Sequence, residues 1–126
     1  MESPDQLHEL FQMQKALNER IGVHAASMSE EKKIEWMAKQ SRAVIQKIAN
    51  LTNKAPWTWL ANYQKFEAQN ARVEVVDLLH FVISFAQVLG MGADDVFEAY
   101  VKMNAVNFRR QESDYCVRDD RDSRHI

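Results

Sequence analysis

Residues 73–85 constrain this chain more than any other stretch. Val73, Val75, Val76, Leu78, Leu79, Phe81, Val82, Ile83 and Phe85 place apolar groups on nearly every side of a helix. That pattern predicts a buried helix rather than one that lies on a surface with a single greasy face. Glu74, Asp77 and His80 interrupt it at i, i+3 and i+6, so the three share one face. A buried carboxylate is costly unless it meets a cation, a metal or hydrogen-bond donors. Two readings of the row stand side by side. It faces solvent or pairs with Lys or Arg on a neighbouring helix, or it is a metal site, since carboxylates at i, i+3 are how helical bundles present oxygen ligands to a hard cation. For His80 the simpler reading is a satisfied, partly buried histidine.

The rest of the chain reads as helices around this one. Ser3-Pro4-Asp5 predicts a helix start, with Ser at the N-cap, Pro at the first helical position and an acid in the first turn. Leu7, Leu10, Phe11, Gln14, Leu17, Asn18 and Ile21 follow at helical spacing, and Gly22 marks a stop. Ser29-Glu30-Glu31 opens a second helix that ends before Pro56, with Ile34, Met37, Val44, Ile48 and Leu51 as its apolar stripe. The aromatic stretch Trp57-Thr58-Trp59-Leu60 reads as a turn or short helical piece. The third helix is expected from about Asn70 to Leu89, stopped by Gly90. The fourth begins near Gly92-Ala93-Asp94-Asp95 and runs through Val96, Phe97, Tyr100, Val101 and Phe108. The domain is expected to cover residues 1–113, with 114–126 as a polar tail.

Composition agrees with an all-α domain. Only three glycines and two prolines occur in 126 residues, too few for the turns of a β-rich fold. With 46% hydrophobic and 27% charged residues the chain is globular, and its length suits one core. A net charge of −2 gives no electrostatic reason to expect a nucleic-acid partner. No apolar run reaches the roughly 20 residues of a membrane span. A single cysteine excludes an internal disulfide, and the acidic opening lacks the pattern of a signal peptide, so a cytoplasmic location is expected.

Several segments, in order, resemble one family. Leu10-Phe11-Gln12-Met13-Gln14-Lys15-Ala16-Leu17-Asn18 is similar to the opening of the dimeric, all-α dUTP pyrophosphatases, which group with the MazG-like nucleotide pyrophosphohydrolases. Pro56-Trp57-Thr58-Trp59 resembles their Trp-centred segment, and Glu74-Val75-Val76-Asp77-Leu78-Leu79-His80-Phe81 their E-x-x-D helix. The stretch from Tyr100 to Gln111 resembles their phosphate-contacting helix. The resemblance implies a four-to-five-helix bundle, a homodimer, and a nucleoside triphosphate substrate, dUTP first. It further implies Mg²⁺ held by Glu74 and Asp77 together with an E-x-x-E on the second helix, the metals activating water and screening phosphates. By position it assigns Gln14 and Asn18 to the base, where amides offer both donor and acceptor to a uracil edge. It assigns Trp57, Trp59 and His80 to the pocket, and Lys102, Asn107 and Arg110 to phosphate oxygens.

The chain departs from this pattern on the second helix. Counting back from Trp57, the E-x-x-E falls on Lys47 and Asn50, a change of about three positive charge units at the site. Met103 also stands where a phosphate-binding lysine is expected, beside Lys102, and Asp114 where a glycine is expected. Glu74 and Asp77 alone leave room for at most one Mg²⁺, and a lysine ammonium beside them opposes it. The expectation is a nucleotide-binding bundle whose dUTP hydrolysis is absent or severely impaired. The alternative is a non-catalytic relative acting as a regulatory or structural helical dimer. In either case Lys47 is expected to share a cleft with Glu74 and Asp77.

Overall fold

The computed structural model describes residues 5–54 and 68–112. Within them the chain is all-α, with no strand: α1 (Gln6–Arg20), a 3₁₀ turn (Ala25–Ser27), α2 (Glu30–Lys54), α3 (Ala68–Val88) and α4 (Ala93–Glu112). Trp57, Trp59 and the tail expected from residue 114 lie outside the described residues.

Local chemistry sets the ends of these helices. The N-cap of α1 is Asp5, not Ser3, and its Oδ1 accepts the Leu7 N–H at 3.0 Å. A carboxylate there satisfies a first-turn donor and suits the helix dipole. At the other end Gly22 takes φ 89°, with Gly22 N–H donating to Glu19 O and Val23 N–H to Asn18 O. Gly90, at φ 81°, repeats the same pair of bonds after α3, to Gln87 O and Ala86 O. Both are left-handed glycine stops that tie off the last carbonyls. Ser29 Oγ accepts the Lys32 N–H and starts α2, while Asp95 Oδ2 accepts the Gly92 N–H at the start of α4.

The helices pack around α3. Trp36 of α2 stands edge-on to Phe85 at 5.6 Å, while Lys47 of α2 meets Asp77, so α2 runs antiparallel to α3. Phe11 of α1 joins Ile83, Ala86 and Ala93 in a buried cluster that Leu7, Met91 and Val96 extend. At the N-terminal ends of α1 and α4, His8 bridges Asp5 and Asp94 at 3.1 and 3.0 Å. The turn through Gly90 sends α4 off at 106° to α3, so the last helix crosses the bundle instead of running antiparallel within it. No single helix among the described residues is long and apolar enough to cross a membrane.

Two sequence expectations are corrected here. Of the stripe expected on α2, Met37, Val44 and Leu51 are half-buried, beside Trp36, Lys47 and Asn50, whereas Ile34 and Ile48 stay exposed. The third helix is not buried all round. Its C-terminal half is enclosed, with Ile83, Ala86 and Val88 buried, but Val73, Val75, Val76, Leu79 and Val82 are 46–55% exposed within the single chain. A second bare stripe, Leu10, Met13, Leu17 and Ile21, runs along α1.

Candidate functional site

The polar row of α3 is divided between two neighbours. At its N-terminal end Glu74 is buried and Asp77 half-buried, and both face α2. Lys47 reaches across with Nζ 3.2 Å from Asp77 Oδ2 and 3.7 Å from Glu74 Oε2. The first distance is a charge-assisted hydrogen bond and the second an ion pair without one. The hydrogen bond to Asp77 and the fields of Glu74 and Asp77 together raise the Lys47 ammonium above its usual value. Asn50, one turn further along α2, accepts from Gln46 Nε2 at 3.1 Å along its own helix.

Farther along α3 the row turns to α1 and becomes neutral. Gln87 Nε2 donates to the Phe11 carbonyl at 2.7 Å. Asn18 Nδ2 donates to Ser84 Oγ at 3.2 Å and to Gln87 Oε1 at 3.4 Å, and Gln14 Nε2 donates to Asn18 Oδ1 at 2.9 Å. Gln14 Oε1 meets His80 Nδ1 at 2.6 Å. Gln14, Asn18 and Ser84 are buried, so these bonds replace the water each side chain lost. A cavity of about 270 Å³ opens beside this chain of bonds, with Trp36 and Phe81 also on its walls.

The amides assigned to a base are therefore neither on a solvated face nor free to turn, because most of their donors and acceptors bond one another. Ser84 and Gln87 were missed by the sequence reading. Their signal was present, since they continue the polar row from His80 at i+4 and i+7. On α4, Arg110 Nη1 donates to Asn107 Oδ1 at 3.1 Å, and Lys102 is exposed. That helix packs on α1.

Comparison with known proteins places this architecture. The family model described as dUTPase matches residues 6–88, two-thirds of the chain. The chain belongs to the all-α dUTPase family. The match covers α1, α2 and α3, and so includes both the carboxylate centre and the amide chain. This dUTPase-family chain is also 29% identical over 108 residues to the dCTP pyrophosphatase of Enterobacteria phage T4, covering 65% of this chain and 62% of that protein. It is 24% identical over 98 residues to the dCTP pyrophosphatase of Enterobacteria phage LZ5, covering 64% and 57%. The chain thus spans about six-tenths of the length of these relatives. No solved structure matches it.

Membership of the dUTPase family implies Mg²⁺, and the donor set does not fit it. Two carboxylates face one another across an ammonium that already answers their charge. Among the described residues no group of three or more His, Cys, Asp or Glu could hold a metal. A Mg²⁺ held by Glu74 and Asp77 would have to displace the Lys47 ammonium from between them.

Proposed function

We propose that this dUTPase-family chain binds a pyrimidine deoxynucleoside triphosphate in the cleft between α1, α2 and α3, and that Mg²⁺-dependent hydrolysis to the monophosphate and pyrophosphate is absent or severely impaired. The family's name favours dUTP and the names of the phage relatives favour dCTP. The observation that carries the reading is Lys47 Nζ, 3.2 Å from Asp77 and 3.7 Å from Glu74. An ammonium so held occupies the carboxylates that would otherwise bind a metal and its activated water. The same ammonium leaves the centre less repulsive to a triphosphate than a bare pair of acids.

The test pairs two measurements on the same protein. Pyrophosphate release from a panel of dNTPs with Mg²⁺ should stay at background, while calorimetry detects binding of dUTP or dCTP. Robust turnover sinks the impaired-enzyme reading. If no pyrimidine nucleotide binds, the chain is a structural helical protein and the nucleotide reading fails as well.

A homodimer belongs to the same proposal. The bare stripes on α1 and α3 hold Leu10, Met13, Leu17, Ile21, Val75, Val76, Leu79 and Val82, all exposed within the single chain, and exposed apolar stripes of this kind are what a subunit interface covers. Light scattering at micromolar concentration checks this, and a clean monomer mass counts against it.

A further inference from the structure

A second cavity lies between α1, the 3₁₀ turn and the turn that joins α3 to α4. Its volume is about 680 Å³, inside the range of small-molecule sites, about 300–1,000 Å³. None of Gln14, Lys47, Glu74, Asp77 and His80 lines it, so it lies outside the site described above. Two turns with small side chains leave the space open. Ala25 and Ala26 line it from the 3₁₀ turn, and Gly90, Gly92 and Ala93 from the other. A methyl group built at Gly90 would meet no atom within 4 Å. The bare stripe of α1, Leu10, Met13, Leu17 and Ile21, is not part of the wall, so a subunit that covers the stripe does not thereby fill the cavity.

The lining is apolar in body and basic in charge. Phe11, Val23 and Met91 add apolar surface to that of the alanines. Several of the polar side chains already have partners. His8 has a carboxylate at each ring nitrogen, Asp5 at 3.1 Å and Asp94 at 3.0 Å. Asn18 bonds Gln87, and Ser27 Oγ donates to the His24 carbonyl. Lys15 and Lys33 remain, and neither ammonium has an ion pair or hydrogen bond among the described residues. Glu19 is the one acid among the lining residues, and it is exposed and pairs with neither lysine. Gln12 adds an amide that donates or accepts, and His24 a ring that becomes a third cation when protonated. Two uncommitted ammonium groups beside an apolar hollow match a ligand with an apolar body and an acidic group, whereas a cationic ligand meets like charge.

We propose that this cavity is a second ligand site, for a small organic anion whose apolar ring lies between the 3₁₀ turn and Met91 and whose acidic group meets Lys15 and Lys33. It stands independently of the nucleotide reading.

The probe is naphthyl phosphate, an aromatic ring with an acidic group, titrated into the full chain and followed by amide NMR. The expected result is saturable binding, with the largest shifts in Val23–Ser27 and Gly90–Ala93. Naphthylmethylamine, the same ring carrying a cation, should bind about tenfold more weakly. Lys15→Glu with Lys33→Glu should lower the affinity for the phosphate by about tenfold or more and reverse the order of the two probes. Ala26→Trp fills the space from an exposed position without changing any charge, and should abolish binding of both. The melting temperature of each variant checks that the fold stands. Equal affinity for the two probes, or shifts centred on Gln14, Trp36 and His80 instead, overturns the proposal. So does binding that survives Ala26→Trp, or a native chain that never saturates.

Discussion

Against α2, the third helix presents Glu74 and Asp77 to one ammonium, while against α1 it presents His80, Ser84 and Gln87 to two amides. Both seams solve the same problem, polar groups drawn from one row of a helix and set against a neighbour. The first solves it by charge neutralisation, which is non-directional and open to any cation that fits. The second solves it by hydrogen bonds, each of which dictates the orientation of the next. A charge centre can be rewritten by exchanging one side chain, as Lys47 illustrates. A directed chain resists piecemeal change, because each member constrains its neighbours.

Rewriting the charged seam should give the largest effect. In Lys47→Glu with Asn50→Glu, carboxylates on α2 join Glu74 and Asp77, and like charges at close range destabilise the helix pair. The double variant should melt well below the native protein in a chelator and recover as Mg²⁺ is added. At a hundred times its dissociation constant, Mg²⁺ contributes about 2.7 kcal/mol to the state it binds. The native Tm should ignore Mg²⁺. A native protein stabilised as strongly as the variant would show that the metal does displace the ammonium.

The neutral seam should break next. Asn18→Ala removes the middle of the chain and strands Gln14 Nε2 and Gln87 Oε1, both of which lose a bond. Each buried group left without a partner costs about 1–3 kcal/mol, so urea denaturation should show a clear loss at unchanged m. A change under about 0.5 kcal/mol, the scale of a surface substitution, would mean that water replaces the amide.

Much of this was legible in the sequence, for reasons specific to each part. Gly22, Gly90 and Ser29 mark helix ends through backbone chemistry that involves only adjacent residues, and the structure uses all three. The spacing of Glu74, Asp77 and His80 gave the shared face. The sequence could not assign that face to two neighbours, since the division depends on how α1 and α2 approach. Nor could it reveal that Val75, Leu79 and Val82 stay bare, because an apolar run does not say whether its cover comes from the same chain. Ile34 and Ile48 misled the reading of α2. They are apolar and correctly spaced, yet the face that Met37, Val44 and Leu51 share with Trp36 and Lys47 turns inward, because the partners of those two on α3 decide the orientation.

Double-mutant cycles sharpen the separation of the seams. Gln14→Ala with Asn18→Ala should be non-additive by about 0.5–3 kcal/mol, since the two share a bond. Asn18→Ala with Asp77→Asn should add to within about 0.5 kcal/mol, because the seams share no described partner. Strong coupling in the second cycle would mean that His80, one turn beyond Asp77, links the two.

The smallest effect concerns alkaline pH, and only the charged seam should feel it. The hydrogen bond to Asp77, with the fields of Glu74 and Asp77, raises Lys47 above the usual lysine value of 10.5. A group whose folded value is raised contributes stability that is complete below its unfolded value. That contribution is lost as pH climbs from about 10.5 through the higher folded value. Lys47 is about one-third exposed, so solvent screens the pair and the loss should be modest. Gln14, Asn18 and Gln87 are amides, which do not ionise in water. Asn18→Ala should therefore lower the whole stability curve without altering its alkaline slope, whereas Lys47→Met should flatten that slope. Equal slopes for the native protein and Lys47→Met would falsify the ion-pair account, and would mean that the ammonium is solvated rather than held by the two carboxylates.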